Sequence, residues 1–479
     1  MVNYNRWLGY FLIKQRFICI TFLISPFIPA YFQIYCTNSS RQSHTIRMSE
    51  KNMVDGIYEG VDKELPKSRH EFIEWFVGLC EAESSFLIRI RKNEKGGVSG
   101  FEFIFRIYLH RYDRNTLEFI KNTLGCGRLN SERDVVVFSI SQLSDIESVL
   151  IPIFEEFPLN STKYLDYLDF KKAFFMFKSR KSNELSLLDM NSSIIELKDG
   201  MNTKRINFSL PENHSVRITG NYLIGLLEGD GSFYLNKQDL TVRVSLGTTT
   251  VNRLVLEKIR EFILSLLDEH SYLLGSTTKL ISINDKKVVK INQKPFSILE
   301  ISQIDFICNI LIPYFDSIEF RTKKYQDYLD FKTIAFLILE GKYLTDKGKE
   351  LIIKLGDTMN NNRLSTNSNP VVLDETIKSE LINLIKSEPL IHIDSEGRAM
   401  IVSNKKYIRS TYIIKVYFLN GSFNYFTNGI SCAKFLHISN TTVTQRLNDG
   451  KPVKNKEGLV IAQCMKRIKV YSLNSDKKD

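Results

Sequence analysis

The stretch Leu223–Phe233 reads LIGLLEGDGSF, and an earlier stretch, Phe76–Phe86, reads FVGLCEAESSF. Each is a short apolar run with a glycine in third position, followed by two acidic residues spaced i, i+2. A run this short that closes on acidic and small residues predicts a buried helix with the second acid at its C-terminal tip. A carboxylate is unfavourable there, because the helix macrodipole is negative at that end. The repeated choice indicates that Glu83 and Asp230 meet a positive partner, for which a divalent cation is the natural candidate.

A second set of matched segments shows that the chain contains an internal duplication. The segments that begin at Ile140, Leu150 and Lys163 read ISQ, LIPIF and KYLDYLDFK. Their counterparts ISQ, LIPYF and KYQDYLDFK lie a constant 161 residues later, without a gap. The paired acids are 147 residues apart, so the second copy holds 14 additional residues between the acidic motif and these segments. A polar insertion near residues 271–294 accounts for most of that length.

Each copy is predicted to follow the order α-β-β-α-β-β-α. In the first copy Ile88 and Ile90 alternate with Arg89 and Arg91, which is the period of a half-buried strand. The glycine-rich stretch 95–100 predicts a hairpin turn before the next strand. Further elements are expected at Phe101–Leu109 (strand), Asn115–Leu124 (helix), Val135–Ile140 (strand), from Leu143 (helix), and at Thr241–Leu246 and Ile298–Ile301 (strands of the second copy).

The two acidic stretches resemble the paired signature of the LAGLIDADG homing endonucleases and their maturase relatives. The match is good at Leu223–Gly231 and weaker at Phe76–Ser84, where Ser84 replaces the usual glycine. The resemblance implies that two helices pack side by side and that the penultimate acid of each signature holds the catalytic metal. It covers about residues 70–364.

The expected fold class is α+β, with two pseudo-symmetric αββαββα halves that form a saddle of antiparallel sheets, plus a small C-terminal helix-turn-helix module. Helices would cover one face of each sheet and leave the other face polar and basic. A saddle of this kind suits duplex DNA, since the major groove admits a two-stranded ribbon. The expected divisions are an N-terminal extension (1–69), a first half (70–175), a linker (176–217), a second half (218–364), a second linker (365–404) and the C-terminal module (405–467). A charged helical pattern, Asp374–Ser387, lies within the second linker.

The net charge of +11 favours a polyanionic partner. Hydrophobic content of 43% excludes global disorder. The chain has no GxxxxGK[ST], HExxH or nucleophile-elbow motif. Its seven cysteines are scattered and form no CxxC pair, so a zinc site and a disulfide framework are unsupported and a reducing compartment follows. The excess of Lys, Asn, Ile, Phe and Tyr, which have AT-rich codons, indicates an organellar gene and a mitochondrial protein.

The first 36 residues are anomalous. Arg6, Lys14 and Arg16 precede an uncharged stretch, residues 17–36, that is long enough to span a membrane. Pro26 and Pro29 disfavour a regular helix. The segment has three interpretations: a targeting sequence, a membrane anchor, or a leader read through from an upstream coding segment, which the family resemblance favours.

The C-terminal part has a signature of its own. Asn420-Gly421 between two apolar runs predicts a β-hairpin. The stretch Ser431–Leu447 then reads as helix, turn and helix, with His437 at the turn. It resembles the modular DNA-binding domains appended to homing nucleases; a generic two-helix unit is the alternative. The resemblance assigns the groove-facing positions to Asn440, Thr441, Thr442, Thr444, Gln445 and Arg446.

The chemistry that the family resemblance implies is hydrolysis of both strands of duplex DNA with Mg²⁺ or another hard divalent cation. Glu83 and Asp230 are the expected metal ligands and catalytic acids, one for each strand, whereas Glu81 and Glu228 are expected only to support them. Lys163 and Lys324, with Lys323 as an alternative register, are the matching basic residues. Strand residues expected to contact DNA are Arg89, Arg91, Arg106 and Arg243.

The predicted function is therefore that of an intron-type homing endonuclease, expected to be a monomer. Two alternatives remain: a maturase that binds group I intron RNA without cleaving DNA, and a DNA-binding regulator. Ser84 is the feature that favours the maturase, because Gly231 is expected to take a positive φ that serine adopts only at a cost of about 1 kcal/mol.

Overall fold

A computed structural model describes residues 69–180, 187–267, 280–288, 294–363, 367, 369–410 and 412–469. The apolar segment 17–36 and the rest of the N-terminal extension through residue 68 lie outside the described residues, as does part of the insertion at 271–294. Within the described ranges, no helix combines the length and the apolar character that a bilayer span requires.

The first half has the predicted order of elements. Helix α1 (Arg69–Glu83) ends at the second acid of its motif and continues directly into the hairpin β1 (Ser84–Lys92) and β2 (Val98–His110). Helix α2 (Arg114–Leu124) ends at Gly125, whose φ of 70° lies in the left-handed region that glycine adopts readily. The remaining elements are β3 (Arg128–Glu132), β4 (Val135–Ile140), α3 (Ile151–Glu156), α4 (Lys163–Lys178) and α5 (Leu187–Asp199).

The second half repeats this order. Its elements are α6 (Gly220–Asp230), β5 (Gly231–Asn236), β6 (Thr241–Thr249), α7 (Arg253–Leu264), β7 (Ile281–Lys286), β8 (Phe296–Ile301), α8 (Ile312–Asp316), α9 (Lys324–Leu339) and α10 (Asp346–Asp357). Each half contains a four-stranded antiparallel sheet, with the strand orders β1-β2-β4-β3 and β5-β6-β8-β7. The two orders are equivalent, which confirms the α+β fold with pseudo-symmetric halves.

Each sheet is buried on one face only. In β6, Val242, Val244 and Leu246 are buried, whereas Arg243 and Ser245 between them are half-exposed. The same alternation in β1 and β2 leaves arginines on the outer face of the first sheet. Both sheets therefore present a polar face to solvent, as the strand period predicts.

Two glycines allow α1 and α6 to cross in direct backbone contact. A Cβ atom on Gly78 would lie 2.1 Å from the carbonyl oxygen of Tyr222, and one on Gly225 would lie 2.1 Å from that of Trp75. No side chain fits at either distance, so these positions require glycine. The reciprocal approach places the C-terminal ends of the two helices next to each other.

A further helix follows the helix that begins with the signature lysine in each half. The segment 176–217, predicted to be a linker, contains the end of α4 and all of α5. Met190, Ile194 and Met201 from this segment are buried in the core of the repeat. The prediction overlooked the helix because its buried residues are few and stand among polar ones. Helix α10 is its counterpart in the second half.

The second predicted linker, 365–404, also contains regular structure. Helix α11 (Glu375–Lys386) buries Leu381 in the main core. A three-stranded sheet follows, formed by β9 (Ile391–Ile393), β10 (Arg398–Ile401) and β11 (Tyr407–Ser410). Arg409 attaches this sheet to the second half, because its Nε donates to the buried carboxylate of Asp305 at 3.0 Å.

The C-terminal unit has a small core of its own. Strands β12 (Tyr412–Tyr417), β13 (Phe423–Phe426) and β16 (Cys464–Lys469) form an antiparallel sheet in the order β13-β12-β16. Helices α12 (Gly429–Leu436) and α13 (Asn440–Asp449) pack on one face, and β14 (Val453–Lys454) pairs with β15 (Val460–Ala462). The turn between the helices begins at His437, which takes a left-handed φ of 52° where glycine is more usual.

Candidate functional site

The second acids of the two motifs lie together at the ends of the crossed helices. Glu83 is the last residue of α1, and Asp230 is the last residue of α6. A Cβ atom on Gly229 would lie 3.4 Å from Glu83 Oε1, so the Glu83 carboxylate packs against the residue that precedes Asp230. Among the described residues, neither carboxylate accepts a hydrogen bond or joins an ion pair. Each half thus contributes one carboxylate without a protein partner.

The surroundings of both acids disfavour their charged forms. Burial raises the pKa of Glu83, and the charge of Asp230 raises it further. The pKa of Asp230 is also raised, chiefly because the surrounding protein atoms remove water from its carboxylate. Lys163 opposes both shifts without contacting either carboxylate closely enough to form an ion pair. Two neighbouring carboxylates that form no ion pair with a described residue are an arrangement that a cation would stabilise.

The donor set at this place fits a hard divalent ion. Mg²⁺ is usually held by one or two carboxylates, together with water and phosphate oxygens. Glu83 and Asp230 supply two such carboxylates, and the described residues contain no cluster of three metal-ligating side chains. Any ion held here would need further oxygen ligands from water or from a bound phosphate.

The first acids of the motifs have a different task. Glu228 Oε1 accepts hydrogen bonds from the backbone N–H groups of Arg321 at 2.6 Å and Thr322 at 2.5 Å, and Oε2 accepts one from Trp75 Nε1 at 2.5 Å. Glu81 accepts in the same way from the backbone N–H groups of Asn160 and Ser161. The two pairs of N–H groups are again 161 residues apart. The first acids therefore clamp the loop that leads into the last signature helix of each half.

That clamp positions the predicted lysines, which begin α4 and α9. Lys163 Nζ donates to the carbonyl oxygens of Cys80 at 2.9 Å and Ser84 at 2.7 Å, at the end of α1. Burial lowers the pKa of this ammonium group. Lys324 Nζ lies 4.0 Å from Asp327 on its own helix. Lys323, the alternative register, instead pairs with Asp113 of the other half at 3.3 Å.

The difference between the two lysines leads to a testable asymmetry. We expect Lys163→Met to lower the free energy of unfolding by about 2 kcal/mol, because two carbonyl groups lose a charged donor. Lys324→Met should change it by less than about 0.5 kcal/mol. Each variant should slow cleavage of one strand more than the other, so that nicked duplex accumulates. Thermal unfolding and cleavage of duplex labelled on either strand would measure both effects; equal loss on both strands in both variants would contradict the assignment of one lysine to each half.

A repeated brace, absent from the sequence-based prediction, fixes these helices to the strands that follow the acids. The backbone N–H of Asn202 donates to Asp166 at 2.9 Å, and its Nδ2 donates to the carbonyl oxygen of Phe86 at 3.0 Å. In the second half Asn360 makes the equivalent bonds, to Asp327 at 2.9 Å and to Phe233 at 2.8 Å.

Both asparagines have left-handed φ values, 57° and 58°. Arg205 and Arg363 complete the brace by binding the same aspartates, Asp166 and Asp327. The signal was present in the sequence, where Met-Asn-x-x-Arg occurs at Met201 and again at Met359. Its spacing of 158 residues differs from the spacing of 161 in the other repeats, which is why it was overlooked.

The expectation that Gly231 takes a positive φ is wrong. Gly231 has φ −77° and ψ 157°, an extended conformation that any residue can adopt. Glycine is needed there because a Cβ atom would lie 2.5 Å from the carbonyl oxygen of Leu227. In the first half the Ser84 hydroxyl donates to the equivalent carbonyl, that of Cys80, at 2.6 Å. The helix still ends at Glu83, so Ser84 no longer argues for loss of catalysis.

The predicted strand arginines lie on the outer faces of the two sheets. Arg89 is exposed and lies 3.4 Å from Glu102 on the neighbouring strand, and Arg243 Nη1 donates to Glu300 at 3.0 Å. Arg91 is exposed, and Arg106 donates to the Tyr108 hydroxyl at 3.1 Å. A groove of about 690 Å³ is lined by Lys163, Asp230 and the outer-face residues Ser245, Gly247 and Thr249 of β6. The acid and the polar sheet face thus border one depression.

The predicted groove-facing residues of the C-terminal unit lie on α13. Thr441, Thr444 and Gln445 are exposed, and Thr442 and Arg446 are half-exposed. Ser439 caps the helix by accepting from the Thr442 N–H at 3.0 Å. The opposite side of α13 buries Val443 and Leu447. The helix therefore presents a polar face that is free of core contacts.

Comparisons with known proteins agree with this architecture. A family model described as LAGLIDADG endonuclease matches residues 76–174 and 223–335, one match in each half. The chain is 31% identical to "Probable intron-encoded endonuclease Cox1-I1b" of Schizosaccharomyces pombe over 41% of this chain and 50% of that protein. It is 24% identical to "Probable intron-encoded endonuclease 2" of Neurospora crassa over 60% of this chain and 64% of that protein. The chain thus spans half to just under two thirds of the length of these two relatives.

A match over a larger part of the chain is to a protein that is named as mitochondrial. It is 23% identical to "Uncharacterized mitochondrial protein RF1" of Saccharomyces cerevisiae over 80% of each chain. Among solved structures, the LAGLIDADG homing endonuclease I-GzeII in complex with its DNA target aligns with a TM-score of 0.51 at 24% identity, over 61% of this chain and 99% of that one. The meganuclease I-SmaMI bound to uncleaveable DNA aligns with a TM-score of 0.52 at 22% identity, over 64% of this chain and all of that one. These likenesses establish the shared fold.

Proposed function

We propose that this protein is a site-specific homing endonuclease that hydrolyses both strands of duplex DNA at an intron-insertion site, because a family model described as LAGLIDADG endonuclease matches each of its two repeated halves. The observation that carries the proposal is the pair of carboxylates Glu83 and Asp230, one from each half, which have no hydrogen-bond or ion-pair partner among the described residues. A duplex has two scissile phosphates related by an approximate two-fold axis. Two related halves, each with one acid, match that requirement.

A divalent cation, for which we propose Mg²⁺, would be held by Glu83 and Asp230 and would supply charge neutralisation and activation of water. The residues of the chain fix where the charged groups of the site lie. Glu81 and Glu228 clamp the loops that lead into the lysine-bearing helices. The brace formed by Asn202, and its counterpart in the second half, holds these helices against the strands that begin directly after Glu83 and Asp230. Lys163, fixed on two carbonyl groups, places a positive charge beside both acids, where it can stabilise charge on a phosphate.

The outer sheet faces would bind the duplex. Arg89 and Arg243, each paired with a glutamate when DNA is absent, can exchange that partner for a phosphate or a base edge. Long-range attraction by the positive chain would supply much of the affinity, and binding should weaken steeply as salt is raised. The relatives that are intron-encoded, and the mitochondrial one, support a mitochondrial setting for this protein.

The C-terminal unit is proposed as a second DNA contact, with α13 in the major groove. Residues 405–469 contain 12 Lys and Arg against two acidic residues, Asp449 and Glu457, so this unit alone carries nearly all of the chain's net charge. Exposed Thr441, Gln445 and their neighbours on α13 provide polar groups for base edges.

Deleting residues 411–479 tests this second contact, because it removes the unit but keeps β11 and the bond from Arg409 to Asp305. We expect binding to a cleavable duplex to weaken by about 10²-fold or more and the protected footprint to shorten on one side. The cut positions should stay the same, because both acids and both lysines lie within the repeat. Arg446→Ala with Gln445→Ala in the full chain is the milder control, and an unchanged footprint in both would refute the assignment.

A further inference from the structure

The C-terminal sheet has a second face, on the side opposite α12 and α13. Strand pairing places Tyr417 beside Phe423 and Lys415 beside Tyr425. On the other neighbour of β12, Lys415 pairs with Lys466. Paired residues of antiparallel strands share a face. We call these five residues, Lys415, Tyr417, Phe423, Tyr425 and Lys466, the aromatic face.

The aromatic face is a compact cluster of rings around an ammonium group. Lys415 Nζ lies 4.0 Å from the ring centroid of Phe423, 5.0 Å from that of Tyr417 and 5.3 Å from that of Tyr425. Phe423 and Tyr425 meet edge to face with their centroids 5.5 Å apart. Lys466 adds a second ammonium 5.7 Å from the Tyr417 ring. Such contacts hold the rings in place.

These rings are not part of the core of the unit. The core lies on the other face of the same strands, where Ile414, Val416, Phe426 and Met465 are buried against the two helices. Phe423 is 53% exposed, and Tyr417, Tyr425 and Lys415 are half-exposed. Three large aromatic side chains on a solvent-facing sheet surface are a costly feature for stability alone, and such patches often mark a binding surface.

We propose that the aromatic face binds single-stranded RNA. A sheet face with two or three aromatic side chains and flanking basic residues matches how unpaired bases and their phosphates are bound, with rings stacking on bases and lysines meeting the backbone. The strongly positive charge of residues 405–469 complements a polyanion. This site is separate from the proposed duplex contacts, which use α13 and the two larger sheets.

The choice of RNA follows from the availability of unpaired bases. In duplex DNA each base is already stacked between its neighbours, so an aromatic platform on a sheet has nothing to stack against. Folded RNA exposes bases in loops, bulges and ends, and proteins with such sheets bind it there. The proposal does not depend on cleavage activity, because neither acid nor lysine of the paired centres takes part.

The test is binding of the full chain to a fluorescein-labelled 12-nucleotide oligouridylate, followed by fluorescence anisotropy at fixed salt. The variant Phe423→Leu/Tyr425→Leu keeps apolar strand residues but removes two stacking rings. We expect it to weaken RNA binding by at least about tenfold, while binding to a non-specific 20-base-pair DNA duplex changes by less than about twofold. Tyr407→Leu is the matched control, since Tyr407 is an exposed strand aromatic that also contacts a cation, Arg398, at 5.0 Å, but on a different sheet.

Retained RNA affinity in the double variant, or the same loss in the Tyr407 control, would overturn the proposal. So would equal affinity for oligouridylate and for an oligothymidylate of the same length, since that would show that the face does not distinguish RNA from single-stranded DNA. A parallel loss of duplex binding would mean that the rings only maintain the unit. Lys466→Gln offers a second route that keeps Lys415 and the three rings: RNA binding should depend less on salt, with the logarithmic slope falling by about 0.7 for one phosphate contact.

Discussion

Replacing Glu83 with Gln, or Asp230 with Asn, is expected to lower the rate of double-strand cleavage by about 10³-fold or more while leaving the affinity for duplex DNA within about threefold. Each change keeps the shape of the side chain and removes one carboxylate ligand. Because each half serves one strand, the single variants should also accumulate nicked duplex before any complete cut appears. Single-turnover cleavage of end-labelled duplex, with binding measured in Ca²⁺, would separate chemistry from affinity.

The same variants have a readout that does not require cleavage. In the absence of metal, the pKa of Glu83 and the pKa of Asp230 are raised in the folded chain. A carboxyl group whose pKa is higher folded than unfolded destabilises the fold when charged, and the fold gains stability as pH falls from above the folded pKa toward the unfolded value near 4. Glu83→Gln should therefore melt at a higher temperature than the native chain at pH 8 without metal, and the difference should shrink as the pH falls.

Added Mg²⁺ should raise the melting temperature of the native chain and have less effect on either variant. Glu102→Gln is the control, since Glu102 is a carboxylate of the same half that lies on the outer sheet face beside Arg89. An equal metal response in the native chain and in both variants would show that these acids are not the ligands. Full cleavage by either variant would have the same consequence for the catalytic assignment.

The second large effect is expected at Glu228, only two residues before Asp230. Glu228→Ala should lower the free energy of unfolding by about 3–5 kcal/mol, because the backbone N–H groups of Arg321 and Thr322 and the Trp75 indole lose their acceptor in a buried place. Chemical denaturation would measure the loss.

Glu300→Ala is the comparison within the same half. Its carboxylate binds Arg243 and Tyr234 on the half-exposed sheet face, so its removal should cost no more than about 1 kcal/mol. Similar losses for the two variants would contradict the assignment of Glu228 as a structural clamp. The different roles of Glu228 and Asp230 would then have to be established from cleavage measurements alone.

Much of the fold followed from the duplication. Apolar runs that end in acids, strand-like alternation and the constant spacing of 161 residues were sufficient to predict the paired halves and their order of elements. Local signals also placed Gly125 after its helix and the hairpin at Asn420-Gly421, because these positions require a backbone that glycine adopts readily. Helix α5 in the first predicted linker was missed, since an element that buries two or three residues leaves a weak periodic signal. The helical pattern Asp374–Ser387 in the second predicted linker coincides with α11.

The candidate site was predictable in its residue types but not in its division of labour. The sequence places Glu81 and Glu83 in the same motif. Only the fold shows that Glu81 accepts from the N–H groups of Asn160 and Ser161, whereas Glu83 has no partner in the part of the chain that the structure describes. The brace at Asn202 was likewise hidden, since its partners are distant in sequence. Gly231 was predicted to be left-handed, but its conformation is extended, and glycine is needed there because a side chain would have no space.

The most direct test of the central claim is cleavage by the purified full chain of a duplex that carries the intron-free junction of its host gene. In Mg²⁺ the chain should cut both strands at one position each, and the reaction should stop on chelation and in the double variant Glu83→Gln/Asp230→Asn. A chain that binds this duplex without breaking either strand, yet promotes splicing of the intron RNA in a purified reaction, would contradict the nuclease assignment and establish the maturase instead.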